Sequence, residues 1–520
     1  MDSLSIFIPL LPLSAAIILG IGQLFGWLDG EKTEPFTASL SLTALTLSTL
    51  LAISLLIAEQ YGKTDGSYLA GTWFSSEVLT VSLNFITTGF ALHTAVPCAL
   101  LLLVSMLFSV THLHREAGYH RFFFVFNLFS AAILLFLLSG NMLITFIGWQ
   151  ISGVCAYIII AYAYDQPIAA FNATRVFMTN RLGDASFLLG IGLSYTWIGS
   201  INWSDLNQSI VDLALNEATT LALCFATAAF AKSAQLPFSP WLTRSMEGPT
   251  ASSAAFFGAV FVHSGVFLTI ALRSVFEQSA IAMTVLLVIG TLTALYGLIV
   301  GLTQTDIKSA IGFAIITQLG LIFMECGLGF WQLAAWHSVI HASIRAYQLL
   351  TAQGFIQQTQ GITASLIPSR LAKIRWGYVA SLQRFWLDPI TDWTLVNPVL
   401  QLGKDLSYFD DHIVNAVMGA PAPAMNALAT LAQLEEHQTG TPSDTEPDVF
   451  ARGSGFAGKL AEGTSVILQW IEERLMLRGI HEDAILGGRH IGNIANRIEQ
   501  LLLRPRYLAL FVFITLLAVF

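Results

Sequence analysis

Residues 221–242 read LALCFATAAFAKSAQLPFSPWL, an apolar run that contains one cation, Lys232. The run is long enough to cross a bilayer, which takes about 20 apolar residues. Pro237 and Pro240 follow the lysine, and proline inside a helix removes a backbone hydrogen bond and breaks the helix. The segment therefore predicts a membrane helix that breaks beside a buried charge, an arrangement that transporters use for ion sites.

The composition of the whole chain agrees with a membrane protein. Of its 520 residues, 55% are hydrophobic and 11% are charged, and the mean hydropathy is +0.67. Soluble chains carry about 25% charged residues, so a soluble enzyme and a disordered chain are excluded. The 24 Lys and Arg residues form no basic run, which argues against nucleic-acid binding. We expect an all-α polytopic membrane protein.

Apolar runs predict about 12 transmembrane helices, namely eleven spans and a shorter run, 507–520, that ends the chain. The spans lie near residues 5–28, 36–58, 88–111, 121–139, 141–164, 175–199, 217–244, 251–274, 279–302, 306–325 and 330–355. We therefore divide the chain into a transmembrane bundle (1–355), a set of amphipathic helices with a polar linker (356–503) and a C-terminal membrane segment (504–520). The middle part either docks on a partner or folds back on the inner face of the bundle.

The charges of the loops predict the orientation, because cytoplasmic loops carry an excess of Lys and Arg. With the N-terminus outside, the outer loops hold Lys63 and Arg273. The inner side holds Lys32, Arg115, Arg121, Arg175, Arg244, Lys308, Arg370, Lys373 and Arg375. This bias predicts a multi-pass protein of the cell inner membrane, with a periplasmic N-terminus and residues 356–503 in the cytoplasm.

Charged groups inside spans are costly, so each of them is a candidate functional residue. Arg181 and Asp184 lie three residues apart on one helical face and can pair. His337, His341 and Arg345 follow one another at intervals of four residues and share another face. Because desolvated histidine and lysine can change protonation near neutral pH, these groups and the lysine of the first segment predict a proton-conducting polar axis.

Structural explanations compete with the functional one for most of these residues. Arg181 and Asp184 can form a purely structural pair, and His337 can be a satisfied core histidine. Asp306 and Lys308 lie at the start of a span, where they can cap a helix or extend to the interface. A lysine in mid-membrane beside a helix break is the hardest to explain structurally.

The sequence offers no chemistry for an enzyme. It has no phosphate-binding glycine loop, nucleophile elbow or zinc-protease motif. The cysteines lie in apolar runs without a C-x-x-C pair, so no metal site is expected in this chain. They are Cys98, Cys155, Cys224 and Cys326. We expect a transporter subunit and not an enzyme.

Five ordered motifs between residues 85 and 355 carry a resemblance to a known family. They are Gly118-Tyr-His-Arg-Phe-Phe with Asn127-Leu-Phe and Phe146-Ile-Gly-Trp-Gln, Ala231-Lys-Ser-Ala-Gln-Leu-Pro-Phe with Trp241-Leu, Met246-Glu-Gly-Pro-Thr, Gln304-Thr-Asp-Ile-Lys, and His337-x-x-x-His-Ala. With these motifs the chain resembles the antiporter-like membrane subunits of respiratory complex I and of Mrp cation/proton antiporters, above all the large distal (L-type) subunit.

The resemblance implies inverted repeats of five helices, a broken helix in each repeat and a polar axis at the membrane centre. Lys232 matches the lysine that takes up and passes the proton, and Arg181 and Asp184 match the charge pair of the preceding helix. His337 and His341 match the linking histidines. The other ion-translocation candidates are Gln150, Glu247, Asp306, Lys308 and Arg345.

Four departures from the family pattern stand out. Gln150 replaces a glutamate and cannot titrate, and Arg345 replaces a lysine and stays charged. Phe257 replaces a histidine, while His263 stands six residues further on. The second broken helix and the spans after it are missing, since Phe385-Trp-Leu-Asp-Pro follows soon after residue 360.

A shortened subunit of this kind resembles the membrane subunit (DabB-type) of DAB inorganic carbon accumulation complexes. In that family it pairs with a large zinc-containing, carbonic-anhydrase-like cytoplasmic subunit (DabA-type). The resemblance implies that this chain has no cofactor, that the zinc belongs to the partner, and that residues 356–503 offer a docking surface.

The first functional hypothesis is therefore a subunit that conducts protons or Na⁺ and thereby drives CO₂ hydration to bicarbonate in the partner. One alternative is a proton-pumping subunit of a complex I-like or hydrogenase-like assembly, against which the missing glutamate and the missing second broken helix argue. The other is a non-conducting membrane anchor, in which Gln150 and Arg345 would mark a decayed channel.

Overall fold

The computed structural model describes residues 1–76, 79–304, 307–358 and 375–409 of the chain, which divides into two compact units, Met1–Leu395 and Val396–Phe520. The helices of the first unit are α1 (Phe7–Leu24), α2 (Glu34–Gln60), α3 (Gly89–His112), α4 (Tyr119–Leu138), α5 (Met142–Ile160), α6 (Pro167–Ile198), α7 (Trp203–Ser209), α8 (Leu215–Lys232), α9 (Pro240–Arg244), α10 (Thr250–Ser252), α11 (Ser264–Ala271), α12 (Arg273–Glu277), α13 (Ala280–Gly301), α14 (Ile307–Gly327), α15 (Trp331–Gln358), α16 (Arg375–Leu382) and α17 (Leu387–Thr391). The described part of the second unit contains α18 (Asn397–Phe409).

Shorter helical pieces connect these helices. Single 3₁₀ turns lie at Asp2–Ile6, Glu31–Thr33, Ile210–Asp212, Ser245–Glu247 and Arg384–Trp386, and π-helical segments lie at Ser253–Ala259 and Asp392–Val396. The first π-helical segment continues α10 toward α11, and π-helical turns inside helices occur frequently at functional sites.

Eight helices in the described residues are long and apolar enough to cross a membrane. They are α1 with its preceding turn, α2 with its preceding turn, α3, α4, α5, the stretch Thr250–Ala271, α13 and α14. The other three predicted spans, 175–199, 217–244 and 330–355, correspond to α6, α8 and α15, which are less apolar on average. The structure therefore supports eight of the roughly twelve predicted spans, and residues 507–520 lie outside the described residues.

Two helical segments occupy the centre of the bundle. In α4 and Thr250–Ala271, 89% and 94% of the most apolar stretch is buried, whereas the other six candidate spans are about half buried or less. A helix that is apolar on all sides belongs in a core, and partly exposed apolar helices surround it. Phe129 of α4 stacks on Phe256 at a centroid distance of 3.7 Å and joins the two central segments.

A two-stranded hairpin, for which the sequence predicts no element, lies between α2 and α3. Strands β1 (Ser67–Ser75) and β2 (Thr80–Ile86) pair antiparallel, from Ser67 opposite Ile86 to Ser75 opposite Thr80. The carboxylate of Asp2 holds the base of the hairpin, because it accepts hydrogen bonds from Thr87 Oγ1 (2.5 Å) and from the amide of Asp65 (3.3 Å).

The helix break falls where the two prolines predict it. Helix α8 ends at Lys232, and α9 begins at Pro240. A break frees backbone groups that need new partners. Two side chains provide them, since Trp241 Nε1 donates to the carbonyl of Ala231 (2.9 Å) and the amide of Leu236 donates to Thr293 Oγ1 (3.0 Å).

Residues Arg384–Asp392, which we call the strap, fold back onto the helix bundle. Asp388 Oδ2 accepts from Arg244 Nη2 (2.6 Å) at the end of α9, and Asp392 Oδ1 accepts from Arg175 Nε (2.6 Å) on α6. Contact with the bundle is therefore observed for this part of residues 356–503, and docking of the region on a partner stays a prediction. Residues 410–503 lie outside the described residues.

Candidate functional site

Lys232 lies fully buried at the last residue of α8. Its Nζ donates a hydrogen bond to the backbone carbonyl of Trp149 on α5 (3.0 Å). The ammonium also lies 4.6 Å from the centroid of the Trp149 ring and 4.4 Å from that of Phe261, distances at which a cation is attracted to an aromatic face. No carboxylate of the described residues forms an ion pair with it.

Trp149 connects Lys232 to the charge pair on α6. While its carbonyl accepts from the lysine, its indole Nε1 donates to Asp184 Oδ1 (2.6 Å). Arg181 Nη2 lies 2.6 Å from Asp184 Oδ2, close enough for an ion pair, but the two atoms are not aligned as a hydrogen bond. The lysine and the aspartate are therefore coupled through one tryptophan rather than by direct contact. Lys232, Trp149, Asp184 and Arg181 form the lysine cluster.

Helix α5 approaches this cluster closely because position 153 is a glycine. A Cβ atom on Gly153 would lie 3.3 Å from Arg181 Nη2 and 3.4 Å from Lys232 Nζ. Gln150 lies one turn earlier on the same helix, and its buried Oε1 has no hydrogen-bond partner among the described residues. The amide at position 150 thus does not replace the ion pair that a glutamate would offer.

A second group, which we call the histidine cluster, joins the stretch Thr250–Ala271 to α15. Its first members are His263, His341 and Arg345. His263 Nε2 lies 3.0 Å from His341 Nδ1, and both rings are buried. Arg345 Nε donates to His341 Nε2 (3.1 Å), and Arg345 Nη1 donates to Gln348 Oε1 (2.6 Å). The two histidines are 78 residues apart in sequence and become direct partners in the fold.

His337 extends the histidine cluster toward α14. Its Nδ1 lies 2.9 Å from Glu325 Oε1, and its Nε2 lies 3.0 Å from Gln318 Oε1. The rings of His337 and His341 are 6.3 Å apart between centroids, and no hydrogen bond joins them within the described part of the chain. His337 and His341 are therefore not direct hydrogen-bond partners, unlike His341 and His263.

The lysine and histidine clusters lie on neighbouring helices but are not hydrogen-bonded to each other in the described residues. Ser233 Oγ donates to the carbonyl of Val262 (2.6 Å), so the residues next to Lys232 and His263 are in contact. Gly265 brings α11 onto α8, since a Cβ there would lie 2.3 Å from the carbonyl oxygen of Ala229. The ring of Phe261 covers Lys232 on this side.

The remaining sequence-predicted residues fall at several places. Pro237 lies in the break, and Pro240 is the first residue of α9. Lys308 lies half-buried in the first turn of α14. Asp306 lies outside the described residues, as does the side chain of Glu247. Phe257 packs against Trp241 at a centroid distance of 6.3 Å in an aromatic core, away from polar contacts.

Sequence reasoning did not single out several residues of the site. Glu325 and Gln318 lie on α14, whose sequence predicts only a membrane span. Trp149 was included in a family motif, but no role was predicted for it. The available signal for Glu325 was its charge at the end of the apolar run 306–325. His263 was noted only by its position relative to Phe257, and no local pattern pairs it with His341.

A comparison with protein families finds a match over the part of the chain that contains the site. Residues 139–376 match the family described as "NADH:quinone oxidoreductase/Mrp antiporter, TM". This segment covers less than half of the chain and is similar to the membrane domain of that family, and for this likeness we call it the antiporter-like domain. It contains all members of the lysine and histidine clusters.

Individual relatives match the chain over a longer stretch than the family does. The chain is 31% identical over 355 residues to NAD(P)H-quinone oxidoreductase subunit 5, chloroplastic, of Nephroselmis olivacea, which covers 67% of this chain and 55% of the relative. It is 30% identical over 363 residues to the protein of the same name from Marchantia polymorpha, covering 68% and 52%. The chain therefore spans little more than half the length of these relatives.

Two solved structures share the fold of the antiporter-like domain. One is the Mrp complex from Dietzia sp. (TM-score 0.60, 21% identity, covering 69% of this chain and 38% of that chain). The other is the membrane-bound sulfane sulfur reductase, an archaeal respiratory membrane complex (TM-score 0.57, 19% identity, covering 75% and 82%).

Proposed function

We propose that this chain is the proton-translocating, antiporter-like membrane subunit of a larger complex, and that Lys232 is its central proton carrier. One observation carries the proposal. Lys232 is fully buried, and its ammonium has a carbonyl and two rings as neighbours but no carboxylate partner in the described residues. Burying an unpaired charge costs several kcal/mol, so a lysine kept there fits a group that gains and loses a proton.

The neighbours of Lys232 give it a route for charge coupling. Asp184 acts on the lysine through the indole and carbonyl of Trp149, and Arg181 reduces the field of the carboxylate. Any change of charge on Lys232 therefore changes the electrostatic field at the polar groups of three helices, α5, α6 and α8. His337, His341 and Arg345 would carry or direct the proton beyond Phe261, with water between the groups.

Proton flux after reconstitution tests the proposal directly. The full chain, with the subunits that co-purify with it, is placed in liposomes that contain a pH-sensitive dye, and a proton gradient is imposed. We expect Lys232→Ala to abolish the flux while the complex still assembles. Lys63→Gln is the matched control, because Lys63 is exposed in the loop between α2 and β1 and its loss leaves the flux unchanged. Flux at the original rate in Lys232→Ala contradicts the proposal.

The names of the relatives favour an assembly of the quinone oxidoreductase, Mrp or respiratory type as the context of this subunit. Gln150 and Arg345 favour the second candidate, a carbon accumulation complex with a zinc-containing, carbonic-anhydrase-like partner. Co-purification separates the two. Quinone-reductase, hydrogenase or antiporter subunits support the first context, and a single large zinc protein supports the second.

The non-conducting anchor makes an opposite prediction for energy coupling. If the chain only holds a partner at the membrane, carbon uptake by the complex persists after an uncoupler collapses the proton gradient, whereas gradient-driven uptake stops. A redox-driven pump keeps its catalytic activity under the uncoupler, and the flux assay with Lys232→Ala separates it from the anchor.

A further inference from the structure

His263 is a buried, titratable residue that the family motifs do not include. It follows the π-helical segment Ser253–Ala259 and a turn, and it precedes the first residue of α11. The chain has Phe257 at the position where the family that it resembles has a histidine. The ring of Phe257 packs in an aromatic core. His263 instead directs Nε2 at His341 Nδ1 with a separation of 3.0 Å, and the exposed fractions of the two residues are 0% and 5%.

The hydrogen bond from Arg345 fixes where the proton of His341 lies. A guanidinium has donors only and stays charged in proteins. Because Arg345 Nε donates to His341 Nε2, that nitrogen must be an acceptor. A neutral His341 then carries its proton on Nδ1 and donates it to His263 Nε2, so His263 in turn carries its own proton on Nδ1.

We propose that His263 is the proton-accepting partner of His341 and that Arg345 is a latch that holds this pair in one tautomer. The proton transfer in this inference rests on the proposed function, whereas the tautomer of the pair does not. When Arg345 releases His341 Nε2, that atom takes up a proton, the Nδ1 proton of His341 moves to His263 Nε2, and the Nδ1 proton of His263 leaves. One proton enters and one leaves, and only N–H bonds form and break.

The far end of the pair is Nδ1 of His263, which carries the outgoing proton. His263 Nδ1 is buried and has no aligned hydrogen-bond partner in the described part of the chain. The carbonyl of Ala259 is the backbone group that acts on this ring, so a water molecule that enters beside it is needed to receive the outgoing proton. Arg345 cannot receive it, so the route turns from α15 to α11 instead of continuing along α15 to position 345.

Nitrogen-15 NMR tests the latch without any transport. The full chain is labelled with ¹⁵N-histidine in lipid nanodiscs, and His341→Gln and His263→Gln assign the signals. We expect protonated Nδ1 and unprotonated Nε2 for both rings, and a loss of this pattern at His341 in Arg345→Gln. A proton on Nε2 of His341 in the original chain overturns the proposal.

Flux measurements test the relay. We expect His263→Gln, which keeps a hydrogen-bonding amide but cannot titrate, to lower the flux at least tenfold without lowering the melting temperature. His93→Gln is the control, since His93 is half exposed and pairs with Glu59. Original flux in His263→Gln, together with loss of flux in Lys232→Ala, overturns the relay but leaves the proposed function standing. Original flux in Lys232→Ala contradicts the proposed function, and the NMR result still decides the histidine pair.

Discussion

At the scale of single residues, two polar groups of the site each lack one partner in the described part of the chain. Lys232 has no acidic partner in the described residues, and Gln150 has a buried oxygen without a hydrogen bond. Position 150, which is a glutamate in the family that the chain resembles, therefore supplies no charge to the site. The coupling that remains passes through Trp149 to Asp184.

The variant Gln150→Glu introduces a titratable acid on α5, the helix that carries Trp149 of the lysine cluster. A carboxylate attracts both Lys232 and Arg181, and about 1.4 kcal/mol of barrier lowering corresponds to a tenfold rate. We expect a faster proton flux, or a flux with a shifted pH dependence, in the dye assay. Gln150→Ala is the matched control because it removes the amide without adding charge. Identical flux profiles for the two variants would show that position 150 does not control Lys232.

At the scale of elements, the strap compensates for unfavourable backbone geometry. Arg384, Phe385 and Trp386 have φ angles of 51°, 54° and 54°, in the left-handed region that non-glycine residues adopt at a cost of about 1–3 kcal/mol each. The strap holds this conformation through Asp388, which accepts from Arg244 and from Arg384. Its ion pairs join α6, α9 and the segment after α15, three elements distant in sequence.

Removal of the charge of Asp388 tests the strap. Asp388→Asn leaves Arg244 and Arg384 without their shared carboxylate, and hydrogen bonds to charged groups contribute about 1.5–3 kcal/mol. We expect a loss of roughly 1–3 kcal/mol, because Arg244 is partly exposed, and a lower melting temperature in detergent. Asp212→Asn changes an exposed aspartate in the turn after α7 and should leave the melting temperature unchanged. An unchanged melting temperature in both variants would mean that the strap adds no stability.

At the scale of the whole molecule, the orientation in the membrane stays a prediction from loop charges. The four native cysteines are all buried, which makes labelling of an introduced cysteine selective. Lys63 and Lys32 are both exposed, at opposite ends of α2.

Single-cysteine labelling decides the orientation. With a membrane-impermeant maleimide we expect Lys63→Cys to react in cells with a permeable outer membrane, and Lys32→Cys to react only in inverted vesicles. The unaltered chain serves as the control and should not react from either side. The reverse pattern would place the N-terminus in the cytoplasm and would invert every loop assignment.

The sequence by itself determined where most helices lie and where one of them breaks. Helix length follows from local apolar runs, and a proline acts on its own helix, so residues 221–242 were sufficient to predict a break at the prolines that follow Lys232. The sequence also predicted that Arg181 and Asp184 share a face, since helical spacing is local.

Only the tertiary structure decided which groups meet across helices. Local periodicity carries no information on the distance between α5 and α8, so the partners of Lys232 proved to be a carbonyl and two aromatic rings. The same holds for His263 and His341, and for the contacts of Asp388 and Asp392 with arginines 144 and 217 residues away. The hairpin β1–β2 was missed because two register shifts interrupt its pairing and its strands show no clear alternation of buried and exposed residues. These pairings depend on packing between distant segments, and close contacts at Gly153 and Gly265 set that packing.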